Sequence, residues 1–229
     1  MKKNNETIII SVGGSLIVPE NIDIVFLKDL KKMIEKHVKN GKKFAIICGG
    51  GRTARNYQNA AREVSDISEV DADWIGTNAT IINASLVKSI FKNNIHEEVI
   101  KNPTKRINFK EKILIAGGWK PGFSSDYDAV LIAKKLKAKK IINLSNIDYV
   151  YDKDPRKFQD AKKIENVSWK EFRNIIPKKW EPGLSSPFDP VASAEAEKLK
   201  IEVAIINGKK LEEVEKYLNN EKFIGTIIK

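Results

Sequence analysis

The sequence predicts an α/β fold in which a mostly parallel sheet is covered by helices on both faces. Three observations carry that expectation. Apolar, β-branched runs alternate with helical patterns almost from end to end, the arrangement that builds parallel sheets through helical crossovers. Each informative glycine cluster follows the C-terminal end of a candidate strand, the edge where ligands sit in open α/β sheets. A chain of 229 residues at 41% hydrophobic composition supplies a full core for one large domain or two small ones.

In chain order, residues 7–12 form the first strand and end on Gly13-Gly14-Ser15. Apolar residues at helical spacing predict a helix over 25–40, with Gly41 as its C-terminal cap. The second strand, 43–48, runs into Gly49-Gly50-Gly51, and helices over 52–65 and 74–93 follow. Residues 95–110 break the rhythm and read as a loop or small hairpin. The third strand, 112–116, leads into "GGWKPG", then a helix over 127–136 and a strand over 140–144. Residues 148–190 break the rhythm again; they divide into a hairpin near 149–164, a helix over 169–176 and the loop "PKKWEPGLSSPFDP". A helix over 191–199 and a strand over 202–207 complete the pattern. Trp74, Trp169 and Trp180 are expected to pack, whereas Trp119 lies inside a glycine loop and stays open to base stacking.

Composition excludes several function classes. One cysteine, Cys48, rules out an intramolecular disulfide framework, and two histidines with one thiol give no zinc-ligand spacing. The N-terminal apolar run is short and broken by glycines, and no stretch approaches the roughly 20 apolar residues of a membrane span. A cytoplasmic protein is expected. Net charge is +11, but the lysines of "KDLKKMIEKHVKNGKK" and "AKKLKAKK" interleave with apolar residues at helical spacing. They read as solvated faces rather than a nucleic-acid surface.

The stretch "IICGGGRTARNYQNAARE" sets an apolar run, three glycines, Arg52 and Arg55 in succession. Bare backbone leaves main-chain N–H groups open to an anion, and the arginines add charge beyond it. A plain strand-to-helix turn is the competing reading of such a patch taken alone. Four polar clusters on one sheet edge, the three glycine loops and "LSNIDYVYDKDP" after the strand over 140–144, favour a phosphate-bearing ligand. The chain has no G-x-x-x-x-G-K-[ST], no G-x-G-x-x-G and no G-x-S-x-G, which argues against a P-loop enzyme, an ordinary dinucleotide fold and a serine hydrolase.

Taken in order, "VGGSLIVPENID", "CGGGRTAR", "DWIGTNATIINA", "GGWKPGFSSDYDA", "NLSNIDYVYDKDPRKFQDAKKI", "SPFDPVASAEA" and "IGTIIK" resemble the UMP kinases of the amino acid kinase superfamily, in particular its archaeal-like branch. The resemblance spans nearly the whole chain. It implies a single three-layer αβα domain, with an acceptor part over about 1–125 and an ATP part over about 126–229. It also implies transfer of the ATP γ-phosphoryl group to UMP with Mg²⁺, and homo-oligomers built as hexamers, with neither nucleic acid nor membrane as partner. Gly14, Ser15 and Gly51 then fall on the ATP side and Gly50 faces UMP. Arg55 matches the phosphate-contacting arginine, with Arg52 beside it. Asp73 matches the acid that binds the UMP ribose, and Trp119, Lys120, Pro121, Gly122, Phe123, Ser124 and Ser125 match the uridine cradle. Ser145, Asn146, Tyr151 and Asp154 match the rest of the ATP side. Asp126 matches the acid that organises the transfer centre, and no metal-ligand cluster of the protein's own is expected.

Other roles remain open for several of these residues. Asp73 and Asp126 each precede a helical stretch and also fit as helix N-caps. Ser145 and Asn146 fit a turn, Tyr151 a hairpin aromatic, and Asp154 an Asx-turn before Pro155. The chain also departs from the family pattern. Ser11 stands where many bacterial relatives carry lysine, Arg52 replaces a common lysine, Tyr149 replaces glycine, and Ile81 replaces the arginine of "TRxNA". Two further readings follow: another small-molecule kinase of the superfamily, and a non-catalytic nucleotide- or oxyanion-storage protein on the same fold.

Overall fold

The computed structural model describes residues 7–179 and 186–229. The first strand, β1 (Thr7–Val12), is followed by a single-turn helix, α1 (Gly14–Ile17), and by α2 (Ile24–Lys39). Asp23 caps α2 by accepting from Phe26 N at 2.9 Å, and Gly41 ends it at φ +90° as the sequence predicts. Then come β2 (Lys43–Cys48), α3 (Gly51–Val64), α4 (Glu69–Ser89) and β3 (Ile113–Ala116). The second half holds α5 (Ser125–Leu136), β4 (Lys140–Ser145), β5 (Val150–Tyr151), β6 (Lys163–Ile164), β7 (Asn166–Val167) and α6 (Trp169–Ile175). It closes with α7 (Pro190–Lys198), β8 (Glu202–Asn207), α8 (Leu211–Leu218) and β9 (Thr226–Ile228).

Seven strands form one sheet in the order β3-β2-β1-β4-β8-β9-β7. Every pairing is parallel except β8 with β9. Because successive strand residues point to opposite faces, the apolar runs feed two cores. Ile8, Ile10, Val12, Phe44, Ile46 and Cys48 pack with α2, α4 and α8 on one side. Ile9, Ala45, Ile47, Leu114 and Ile141 pack with α5, α6 and α7 on the other. This is the three-layer αβα architecture with a mostly parallel central sheet.

The hairpin expected near 149–164 is present as the antiparallel pair β5–β6. Residues 95–110 are neither free loop nor hairpin: Ile95 and Ile100 make isolated parallel bridges to Ile113 and Ala116, extending the sheet edge beyond β3. Trp169 packs as expected at 5% exposure, but Trp74 is 46% exposed, so the packing expected of it is not found. Trp180 and much of the loop around it lie outside the described residues.

Candidate functional site

The loops at the C-terminal ends of β1 and β2 meet in backbone contacts that only glycine permits. A Cβ on Gly14 would lie 2.0 Å from Gly51 N, and one on Gly51 would lie 2.1 Å from Gly14 O. Gly51 also holds φ +60°, the left-handed region that side chains resist. The first two glycine loops are thus interlocked. Asn83, 2% exposed on α4, clamps them: its amide donates to Gly49 O at 2.8 Å and Gly50 O at 3.0 Å.

Gly50 is the N-cap of α3 and Gly51 its first residue, so the positive end of that helix opens onto the loop. Arg52 and Arg55 stand exposed on its first turns. Among the described residues neither guanidinium is in an ion pair. Ser15 lies in α1 directly after the interlocked Gly14.

The "GGWKPG" loop is pinned through its own N–H groups. Gly118 N donates to Thr80 Oγ1 at 2.5 Å, Trp119 N to Asp128 Oδ2 at 3.1 Å and Gly122 N to Asp73 Oδ2 at 2.7 Å. The rings of Trp119, Phe123 and Tyr127 form a ladder with centroid spacings of 5.2 and 5.0 Å. Lys120 Nζ sits 4.2 Å from the Trp119 ring centre and 5.1 Å from that of Phe123, a cation–π arrangement. Pro121 lies between these aromatic and glycine anchors. Ser124 caps α5 by accepting from Tyr127 N at 3.2 Å, with Ser125 as the helix's first residue.

These caps decide one of the alternatives left by the sequence. α4 begins at Glu69 under a Ser68 cap, so Asp73 lies inside the helix. Asp126 lies inside the first turn of α5. Neither aspartate is an N-cap.

Part of Asp126 reaches solvent, but its carboxyl group is enclosed. It accepts from Ser11 Oγ at 3.1 Å and from Asp189 N at 3.2 Å. Burial, reinforced by the Asp189 carboxylate, pushes Asp126 up to about 7. Burial likewise pushes Asp128 up to about 7, with Asp126 adding repulsion. Burial also raises Asp189, the N-cap of α7, above the ordinary carboxylate range. Desolvation penalises the ionised form of each, and at Asp126 and Asp128 a neighbouring carboxylate adds to it. Among the described residues no lysine or arginine is hydrogen-bonded to any of these three carboxyl groups, so no opposite charge offsets the cost of ionising them.

Ser145 ends β4, whose Leu144 O accepts from Gly13 N at 3.0 Å, so Ser145 and Asn146 flank the glycine loops. Tyr151 stands on the separate β5–β6 hairpin. Asp154 accepts from Arg156 N and Nε, both at 3.0 Å. That is the Asx-turn reading, and the guanidinium holds the Asp154 carboxyl below the usual carboxylate range. Sequence reasoning missed Asn83, Thr80, Asp128 and Asp189. "TIINA", "SSDYD" and "SPFDP" held them, but their partners lie far along the chain or are backbone atoms.

An Amino acid kinase family model matches residues 6–207. A uridylate kinase from Methanococcus aeolicus is 36% identical over 225 residues, covering 96% of this chain and 98% of that protein. One from Pyrococcus abyssi is 34% identical over 191 residues, covering 82% and 84%. The crystal structure of uridylate kinase from Archaeoglobus fulgidus superposes with a TM-score of 0.84 at 29% identity, covering 97% of this chain and 99% of that one. With matches of this length over the same glycine-edged sheet, the chain belongs to the amino acid kinase family, in its uridylate kinase branch.

Proposed function

We propose that this chain is a UMP kinase: it transfers the γ-phosphoryl group of ATP to the phosphate of UMP, giving UDP and ADP. The uridylate kinase relatives supply the acceptor. The observation that carries the chemistry is the interlocked pair of glycine loops, flanked by two arginines that make no ion pair among the described residues and closed by an enclosed aspartate. Joining two anionic phosphates calls for alignment and charge neutralisation rather than covalent catalysis, and this edge offers both.

In this reading Gly14, Ser15 and Gly51 present backbone N–H groups to the donor phosphates, and Gly50 faces the acceptor. Arg55 and Arg52 neutralise the transferring group. Asp73 keeps Oδ1 for the ribose hydroxyls while Oδ2 holds Gly122 N. Trp119, Lys120, Pro121, Gly122, Phe123, Ser124 and Ser125 form the uridine cradle, with the α5 N-terminus toward the acceptor phosphate. The ladder already covers Trp119, so its ring acts as a wall of that cradle, and Lys120, an exposed cation at its edge, reaches the phosphate. Ser145, Asn146, Tyr151 and Asp154 line the ATP side. Sheet continuity through β1, which pairs with both β2 and β4, supports one domain with the acceptor part over about 1–125 and the ATP part over 126–229.

Mg²⁺ fits this site as a companion of ATP. Among the described residues no group of three or more His, Cys, Asp or Glu could hold a metal, and Mg²⁺ is ordinarily held by substrate phosphates with one or two carboxylates. Asp126 would hold it from the protein side, through a carboxyl group that no cationic side chain among the described residues neutralises. When bound, Mg²⁺ neutralises phosphate charge as it redistributes. Ser11 takes the place of the bacterial lysine and orients Asp126. Ile81 packs against Gly117, where a Cβ would fall 3.0 Å from Ile81 Cα, so the charge of the missing arginine falls to Arg52, Arg55 and Lys120.

A homo-oligomer is supported by apolar surface on α3 and α4. Tyr57, Val64, Val70 and Ile82 are each more than half exposed. A hexamer is the family arrangement proposed for it. No helix among the described residues is long and apolar enough to cross a membrane, and the buried free thiol of Cys48 suits the reducing cytoplasm proposed for it. The test is an ADP-release assay offering UMP, CMP, AMP, carbamate and isopentenyl phosphate in parallel. UMP should exceed AMP at least about tenfold in kcat/KM, as when a pocket's polar groups are left unpaired by the wrong base. Tight ATP binding without turnover of any acceptor would move the chain to the storage reading.

A further inference from the structure

We propose that Asp128 is a positioning residue for the acceptor loop, through which α5 sets where residues 118–122 stand. The proposal rests on the UMP kinase reading for its kinetic consequence and on geometry for the rest. Asp128 is fully buried. Its Oδ2 accepts from Trp119 N at 3.1 Å, and its Oδ1 has no hydrogen-bond partner among the described residues. A carboxyl group is a poor filler for such a place: burial without a full set of partners costs free energy that an apolar side chain of similar shape would not. Burial accordingly pushes this group up to about 7. A residue retained at that cost is expected to do something packing alone does not require.

The first turn of α5 shows what that is. Consecutive residues reach three different parts of the site. Asp126 takes Ser11 and Asp189 N, Tyr127 stacks on the Phe123 ring at 5.0 Å, and Asp128 takes the backbone N–H of Trp119. The other two backbone pins of the loop, Thr80 on Gly118 and Asp73 on Gly122, come from α4. The loop is slung between two helices, and Asp128 is its backbone anchor to the one that carries Asp126. Without it, the placement of the acceptor loop against Asp126 rests on the ring contacts, the two α4 pins and the chain link through residues 123–124.

Asp128→Leu tests this directly, because leucine keeps the approximate shape, relieves the buried carboxyl and removes the acceptor for Trp119 N. Asp128→Asn is its partner, restoring an acceptor without charge. The Leu variant should melt at or above the wild-type temperature, yet raise KM for UMP about tenfold, the loss expected when a hydrogen bond that places the acceptor is removed. KM for ATP should stay within about twofold, and Asp128→Asn should return KM for UMP to within about twofold of wild type. Amide hydrogen exchange over residues 118–122 in the ligand-free protein should quicken in the Leu variant and slow again in the Asn variant. Unchanged exchange in Asp128→Leu overturns the proposal, as does an equal rise in both KM values. If wild-type protein fails to phosphorylate UMP, the kinase reading falls, and the exchange result still decides the role of Asp128.

Discussion

Replacing Asn83 by alanine probes the clamp on the interlocked glycine loops, and its cost can be worked from the contacts. The amide donates to Gly49 O at 2.8 Å and Gly50 O at 3.0 Å, at a position only 2% exposed. Gly50 O keeps a second donor, Ala54 N at 3.3 Å, so it loses roughly 1 kcal/mol, the net worth of one hydrogen bond. Gly49 O loses its amide partner in a buried place, which costs about 1–2 kcal/mol in unmet hydrogen bonding. The sum, about 2–3 kcal/mol, lowers Tm by roughly 5–10 °C for a domain of this size. If the clamped loop faces both nucleotides, as proposed, KM for UMP and for ATP should rise together. Thermal unfolding and steady-state kinetics on the purified variant check both parts. A Tm within about 1 °C of wild type with unaltered kinetics would refute the reasoning.

Arg55→Ala should lower kcat/KM at least about tenfold if, as proposed, this exposed cation, in no ion pair among the described residues, neutralises the transferring phosphate. Its Tm should hold, and wild-type kinetics would remove the charged half of the anion site. Gly51→Ala forces a side chain to within 2.1 Å of Gly14 O at φ +60°; the loops must part, so activity should fall far more than tenfold, and a fully active variant would show that they do not interlock. Ligand-free stability should carry the signature of the raised carboxyl groups. Between the ordinary carboxylate pKa and about 7 the folded protein keeps protons on Asp126 and Asp128 that the unfolded chain releases, so their contribution falls as pH rises through that window. His37 acts oppositely, because its buried imidazole resists protonation as pH drops below 6.5. Comparing wild type with Asp126→Asn isolates the carboxyl part: melting curves from pH 5.5 to 7.5 should show a smaller pH-dependent loss in the variant, and identical slopes would contradict the enclosed-carboxyl account.

Most of the sheet was legible because buried parallel strands write themselves as unbroken apolar runs. The expected bounds of β1, β2 and β8 coincide with those observed. Glycine position was equally informative, since Gly14 and Gly51 sit where no other residue fits. The helices showed where pattern reading stops. α4 starts five residues before the expected position 74 because its opening turn, capped by Ser68 and carrying Glu69 and Asp71, is polar and reads as loop. That shift turned Asp73 from a candidate cap into a mid-helix side chain aimed at Gly122. α1 was hidden by glycines, and α8 by its acidic "LEEVEKYL", although Val214, Tyr217 and Leu218 are buried. Asn83, Thr80 and Asp128 stayed invisible as site residues for a different reason. Each is defined by a backbone atom of a distant loop, and a backbone atom leaves no mark in a sequence.

The central claim is that phosphoryl transfer is organised at this sheet edge by the charge of Asp126. Asparagine keeps the shape and can accept from Ser11 while removing that charge, so the decisive measurement is kcat for Asp126→Asn under saturating ATP, Mg²⁺ and UMP, beside nucleotide dissociation constants. The account predicts a fall on the order of 10²-fold or more, as when a preorganised electrostatic contact is lost. Nucleotide binding should change only slightly, because the contact matters as charge redistributes in the transition state. A folded Asp126→Asn enzyme with undiminished kcat would contradict it and leave Arg52, Arg55 and the glycine N–H groups as the transfer machinery.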